Sequence, residues 1–205
     1  MYQRYNAEEE PRFQWPDKVD IPCNPDSAEF DCEVYAQVSS TPVKSLQHPT
    51  NNEIWIAALN GIIASWDGTT MTEIGNLSDV ISNCHNEQGL LGFEFTHDFS
   101  SSQEILLSYT ENADCDGGSN LSGMVIASVE VIDNKINMNS LVELRTIAKE
   151  NRNHNGGNLH SLNDGTYLWS LGDGGGSSDP YGNGQNVHNP LGTIQYFSYG
   201  DKMIE

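Results

Sequence analysis

An all-β fold is expected from three features of the 205-residue chain. Short apolar runs come in pairs, and each pair ends in a Gly- or Asp-rich turn. No long segment carries apolar residues at the 3.6-residue spacing of an amphipathic helix. Glycine, asparagine and serine are plentiful, the composition of short strands joined by many turns. This pattern fits either a sandwich or the blades of a propeller, and periodicity alone does not choose between them.

Taken in order, residues 1–32 read as an irregular N-terminal arm. Pro11, Pro16, Pro22 and Pro25 stand there among polar residues, and Glu8–Glu10 is a solvated acidic run. Residues 33–205 read as the folded domain. Its first strand signal is Glu33–Val38, with Val34, Ala36 and Val38 on one face. Ser39-Ser40-Thr41-Pro42 is expected to end it, because proline has no N–H for a ladder. Ile54–Leu59 and Ile62–Trp66 flank Asn60-Gly61, the strongest short hairpin signal, which predicts a type I′ turn with both central residues at positive φ. A second unit runs from Leu90–Phe95 through a turn between Asp98 and Ser102 to Glu104–Tyr109. Met124–Ile132 follows as a longer strand with a turn at Asp133-Asn134. Leu141–Glu150 admits a helix. A third unit starts near Leu159, turns at Asn163-Asp164-Gly165 and continues through Tyr167–Leu171.

The chain carries 29 acidic against 9 basic residues, a net charge of −20. That charge repels nucleic acid and anionic membrane faces, which excludes both as main partners. Apolar residues make up 37%, enough for a core in a chain of this length. No run approaches the ~18 apolar residues of a membrane span, and no apolar signal-peptide region is visible. Cys23, Cys32, Cys84 and Cys115 include no C-x-x-C pair. Their even number and loop settings predict two disulfides, with Cys23–Cys32 plus Cys84–Cys115 one of three pairings. Disulfides place the protein in an oxidising compartment, periplasmic or extracellular.

Candidate chemistry concentrates in the Gly-rich segment from Asn151 to Asn186. Dense glycine lets the backbone approach a ligand and exposes N–H groups. His154 precedes two glycines, and an imidazole there is suited to take a proton from a substrate hydroxyl. The competing reading is a surface turn with an exposed histidine. Asp173 and Asp179 are candidates for Ca²⁺, although the spacing is not that of an EF-hand and aspartates in turns more often bond their own backbone. Gly174–Gly176 matches neither a dinucleotide nor a P-loop fingerprint. His48, His85, His97, His160 and His188 show no metal-ligand spacing and read as structural or solvated.

Three segments carry a resemblance. Glu87-Gln88-Gly89-Leu90-Leu91-Gly92-Phe93, with Phe95 and His97-Asp98-Phe99, resembles E-x-G-L-L-G-x-x-F-x-x-D-F. Asn153-His154-Asn155-Gly156-Gly157-Asn158-Leu159, with Asp164-Gly165 and Gly172-Asp173-Gly174-Gly175, resembles N-H-x-G-G-x-L…D-G…G-D-G-G. Asp179-Pro180-Tyr181-Gly182-Asn183-Gly184-Gln185-Asn186, with Leu191-Gly192, resembles D-P-x-G-N-G-Q-N…L-G. Together, over about residues 50–196, they resemble the glucose/sorbosone dehydrogenase family, which includes soluble PQQ-dependent sugar dehydrogenases and hedgehog-interacting-protein-like propellers.

The resemblance implies a six-bladed β-propeller of which about three blades are present, since six blades of ~45 residues need ~270. It implies oxidation of a sugar (aldose) hydroxyl, with PQQ as cofactor, Ca²⁺ as a further candidate and a separate electron acceptor as partner. His154 matches the general base. The PQQ-contacting residue matches Glu87 or Gln88, depending on a one-residue register, and Asn153 and Asp173 line the site. Asn153 stands where the glucose enzyme type has an acid, and Gly174 where that type has a longer polar side chain. The alternative from the same family is a non-catalytic extracellular binding module.

Overall fold

A computed structural model describes residues 35–112 and 122–200, together with the backbone of Met203 and Ile204. Residues 38–205 form one unit. The expected boundary at residue 32 lies outside the described residues. So does the partner of Cys84, which is disulfide-bonded.

The described residues form three antiparallel sheets that follow one another along the chain. The first is β1 (Pro42–Gln47), β2 (Ile54–Ala58), β3 (Ile62–Trp66) and β4 (Met71–Asn76), in that order. The second is β5 (Leu90–Phe95), β6 (Glu104–Thr110), β7 (Met124–Ile132) and β8 (Lys135–Ile136), with β9 (Val142–Ile147) also on β7. The third is β10 (Gly156–Ser161), β11 (Thr166–Leu171), β12 (Ile194–Gly200) and β13 (Met203–Ile204). The first strand of the second sheet, β5, packs against both β1 and β10, whereas β4 meets β8. Consecutive meanders with first strands gathered inside and last strands outside are the blades of a β-propeller, and the described residues form three.

The middle blade explains the continuous apolar runs. Ile105, Leu107 and Tyr109 of β6, with Val125, Ala127 and Val129 of β7, face the first blade and pack with Trp55, Ile63, Phe93 and Phe95. Leu106, Met124 and Ile126 point the other way and pack with Tyr167, Trp169 and Leu171 of the third. A strand buried on both faces has no polar alternation. Between the second and third blades Trp169 Nε1 donates to Ser108 Oγ at 2.8 Å.

Several local expectations change. Residues 35–38 form no strand; the first strand starts at Pro42. β1 is an edge strand, and the first position of an edge strand tolerates a missing N–H. Val43 and Leu46, which pack on the core, draw this later segment into the sheet. At Asn60-Gly61 only Gly61 has positive φ, +92°. Its N–H donates to the Ala58 carbonyl at 3.0 Å, so the hairpin closes through a three-residue loop with glycine in the left-handed position rather than through a type I′ pair. The type I′ geometry occurs instead at Asp133 and Asn134, with φ of 51° and 58°. Leu141–Glu150 is not helical: Val142–Ile147 is β9, paired with β7 from Ser128↔Val142 to Met124↔Ile147. The outer edge of β7 is thus covered in two pieces, β8 and β9, joined through a 3-10 turn at Met138–Ser140.

His48 proves to be a core residue, 3% exposed. Its ring centroid lies 5.1 to 5.4 Å from those of Trp55, Phe95 and Phe99. Nδ1 accepts from Thr50 N at 3.3 Å, and Nε2 is buried without a partner. Burial lowers its pKa below 6.5, against a smaller opposing pull from Glu53. The unfolded chain therefore binds this proton more readily than the folded one. The stability that His48 lends is complete above pH ~6.5 and is lost as pH falls through the lowered folded value. Urea unfolding at pH 7.5 and pH 5.0 should show that loss, and His48→Phe should reduce it; an identical pH dependence in the variant would contradict the assignment.

Candidate active site

The propeller topology brings three separated segments to one end. β10 starts where β11 ends, since Gly156 pairs with Leu171, and β5 lies alongside β10. The residues before β5, before β10 and after β11 therefore meet. They are Glu87, residues 149–155 and residues 172–176.

His154 is the centre of this meeting. Its backbone is left-handed, φ 51°, and two contacts hold it. Its N–H donates to Glu87 Oε2 at 2.7 Å. Its Nδ1 lies 2.9 Å from Asp173 Oδ1. The ring is 45% exposed and Asp173 22%, and Nε2 makes no hydrogen bond with a described residue. An ionised carboxylate on Nδ1 selects the tautomer with the proton there and leaves the Nε2 lone pair free. Asp173 stays ionised: the N–H of Gly175, 2.9 Å from the same Oδ1, holds its pKa below the usual carboxylate range, and the bond to His154 adds to this.

The backbone approach here is close enough to demand glycine. A Cβ on Gly172 would sit 1.9 Å from the carbonyl oxygen of His154. With Gly172 N donating to Asn155 O at 3.0 Å, the strand ends lie against each other, which sets the span bridged by His154 and Asp173.

Of the residues expected at the site, His154, Glu87 and Asp173 come together directly. Asn153 is adjacent, its Oδ1 accepting from Gly176 N at 3.3 Å. Gln88 does not join them. It is 1% exposed, and its Oε1 accepts from Ser82 Oγ at 3.3 Å. Of the two, only Glu87 reaches His154, through the backbone N–H. Asp179 turns its carboxylate onto its own loop, accepting from Asn183 N and Gly184 N at 2.9 and 3.0 Å. Among the described residues no group of three or more His, Cys, Asp or Glu is placed to hold a metal ion.

Two participants escaped sequence reasoning. Asn155 is buried and donates from Nδ2 to the Glu87 carbonyl at 2.6 Å, tying the β5 approach to the β10 approach. Lys149 is 4% exposed, and its Nζ donates to the Asn151 carbonyl. Burial depresses its pKa to about 8, while Glu87 and Glu150 oppose the shift. In sequence Lys149 lies between Ala148 and Glu150 with no motif to mark it; only the fold shows it is covered.

Residues 40–200 match the family described as Glucose / Sorbosone dehydrogenase. No curated protein sequence gives a significant match. Among solved structures, the apo form of the soluble aldose sugar dehydrogenase from Escherichia coli superposes with a TM-score of 0.63 at 20% identity, covering 78% of this chain and 44% of that one. The PQQ-bound aldose sugar dehydrogenase from Streptomyces coelicolor gives a TM-score of 0.61 at 20% identity, covering 80% and 46%. At this identity the likeness speaks to the fold, and this chain spans less than half the length of either neighbour. With the family match extending over most of the residues that build the three blades, the chain belongs to the glucose/sorbosone dehydrogenase family.

Proposed function

We propose that this chain forms part of a PQQ-dependent dehydrogenase that oxidises a hydroxyl of a sugar, an aldose, in a periplasmic or extracellular setting. The observation that carries the reading is the His154–Asp173 pair: an exposed imidazole held on Nδ1 at 2.9 Å, with Nε2 open. The disulfide at Cys84 supports the compartment. No helix among the described residues is long and apolar enough to cross a membrane.

The residues present fit one side of a quinone cofactor site. Such a site needs a base beside the substrate carbon, polar side chains around it and cations for the cofactor's carboxylates. His154 is the base, and Glu87 and Asn153 flank it. Arg152 is the cation beside it in sequence, whereas Lys149 is buried with its Nζ on the Asn151 carbonyl. When bound, PQQ supplies the two-electron acceptor that takes hydride from the sugar carbon, and a separate acceptor then reoxidises it.

The chain's own residues handle the proton. Nε2 of His154 removes it from the sugar hydroxyl as the C–H bond breaks. Asp173 stabilises the imidazolium that results, and its lowered pKa keeps it from taking the proton itself. Glu87 holds the His154 backbone and so sets where the ring stands.

Titration with PQQ of the complete dehydrogenase of which this chain is proposed to form part, with and without Ca²⁺, followed by absorbance, tests the reading. Saturable binding and aldose-dependent reduction of a dye are expected. No binding under either condition would assign the chain to the non-catalytic binding modules instead.

A further inference from the structure

Between Gly172 and Gly192 the chain makes a long excursion that returns to its own starting point. Gly192 N donates to the Gly172 carbonyl at 2.7 Å. Asp179 folds the middle of the excursion, capping Asn183 N and Gly184 N where the 3-10 turn Asn183–Gln185 begins. These bonds place Asn183 inside: it is 3% exposed.

The Asn183 amide is engaged at both ends. Nδ2 donates to the backbone carbonyl of Asp173 at 2.9 Å and lies 3.5 Å from Glu150 Oε2. Oδ1 accepts from Asn189 Nδ2 at 2.7 Å, and Asn189 Oδ1 in turn accepts from Leu191 N at 3.0 Å. Thus the amide cannot rotate without breaking the Asn189 bond. Asp173, in turn, is gripped twice, by Asn183 on its carbonyl and by Gly175 on its carboxylate. Its Oδ1 meets His154 Nδ1 from that clamped position.

We propose that Asn183 is a positioning residue for the His154–Asp173 pair, through which the loop of residues 179–192 sets the imidazole's tautomer and aim. This rests on His154 acting as the base. Asn183 is buried away from any ligand-facing surface and acts through Asp173. A buried amide that merely filled space would leave the imidazole's protonation pattern unchanged when replaced. A positioning amide would not, because the carboxylate that selects the Nδ1–H form would no longer be held against the ring.

The test uses the ¹⁵N-labelled protein and the ring-nitrogen resonances of His154, identified by their loss in His154→Ala. At pH 8 the wild type is expected to show the Nδ1-protonated form. In Asn183→Asp, which keeps the shape but loses the donor, the share of that form should fall by about 2-fold or more. Asn189→Ala, which frees the amide, should move it the same way by less. Thermal unfolding of both variants is recorded alongside. Lower stability with an unchanged ring pattern would overturn the proposal, and if Asn183→Asp does not fold, Asn189→Ala decides by the same criterion. A wild type lacking the Nδ1-protonated form would overturn the base assignment itself, and this inference with it.

Discussion

Glu94→Ala is expected to lower the unfolding free energy by about 3–5 kcal/mol, the cost of breaking a buried ion pair from one side. Glu94 and Lys44 form an ion pair at 3.2 Å, with side chains only 9% and 11% exposed. Lys44 stands on β1, Glu94 on β5, and the third blade joins through β10. There the Leu159 carbonyl accepts from Lys44 Nζ, and Ser161 N donates to Glu94 Oε2 at 3.2 Å. One charged cluster thus ties the inner strands of all three blades. Removing the carboxylate leaves an ammonium without its counter-charge and the Ser161 N–H without its acceptor, both costly away from water.

Lys44→Met should cost less, since it leaves behind a carboxylate that still accepts from Ser161 N and Phe95 N. The double variant Lys44→Met/Glu94→Ala should be less destabilised than the two losses added, with a coupling of about 1–3 kcal/mol. Urea unfolding of the four proteins measures it. Additive losses would show that the cluster is not a unit and that the blades are held by apolar packing alone.

How far the fold could be read in advance follows from where each strand lies. The runs Ile54–Trp66 and Glu104–Tyr109 were legible because both of their faces are buried and their apolar residues stand in blocks. β9 was not: only Ile147 in it is buried, and Leu141, Leu144 and Ile147 fall at a spacing that a helix shares. Its strand character comes from pairing with β7, information that is absent locally. β4 and β12 went unread for the same reason, with one and two buried residues respectively. At the site, the ordered motifs singled out His154, Asp173 and either Glu87 or Gln88. What no motif contained was their pairing, because Asp173 lies 19 residues from His154 and Glu87 lies 67 away. Contact across those distances is a property of blade order. The burial of Lys149 and the inward turn of Gln88 belong to the same class: each depends on what the neighbouring blade covers.

On the proposed function, His154→Ala should reduce the rate of aldose oxidation by the complete PQQ-loaded protein by about 10²–10⁴-fold, the usual contribution of a positioned general base. The loss should fall on kcat, because a base acting as proposed works on the proton in transit rather than on the resting sugar. Asp173→Asn tests the same chemistry from the other side. An asparagine amide can donate to Nδ1, which favours the tautomer with the proton on Nε2 and removes the lone pair that the reaction needs. A loss of about 10²-fold or more is therefore expected even though the shape is kept. In the wild type, the N–H of Gly175 and the bond to His154 keep Asp173 ionised, so its protonation should not limit the rate until the pH falls below the ordinary carboxylate range. Steady-state assays of the three proteins against pH would show this. A His154→Ala rate within about 3-fold of wild type would remove the imidazole from the reaction. An Asp173→Asn variant with full activity would show that the imidazole does not depend on the carboxylate for its tautomer.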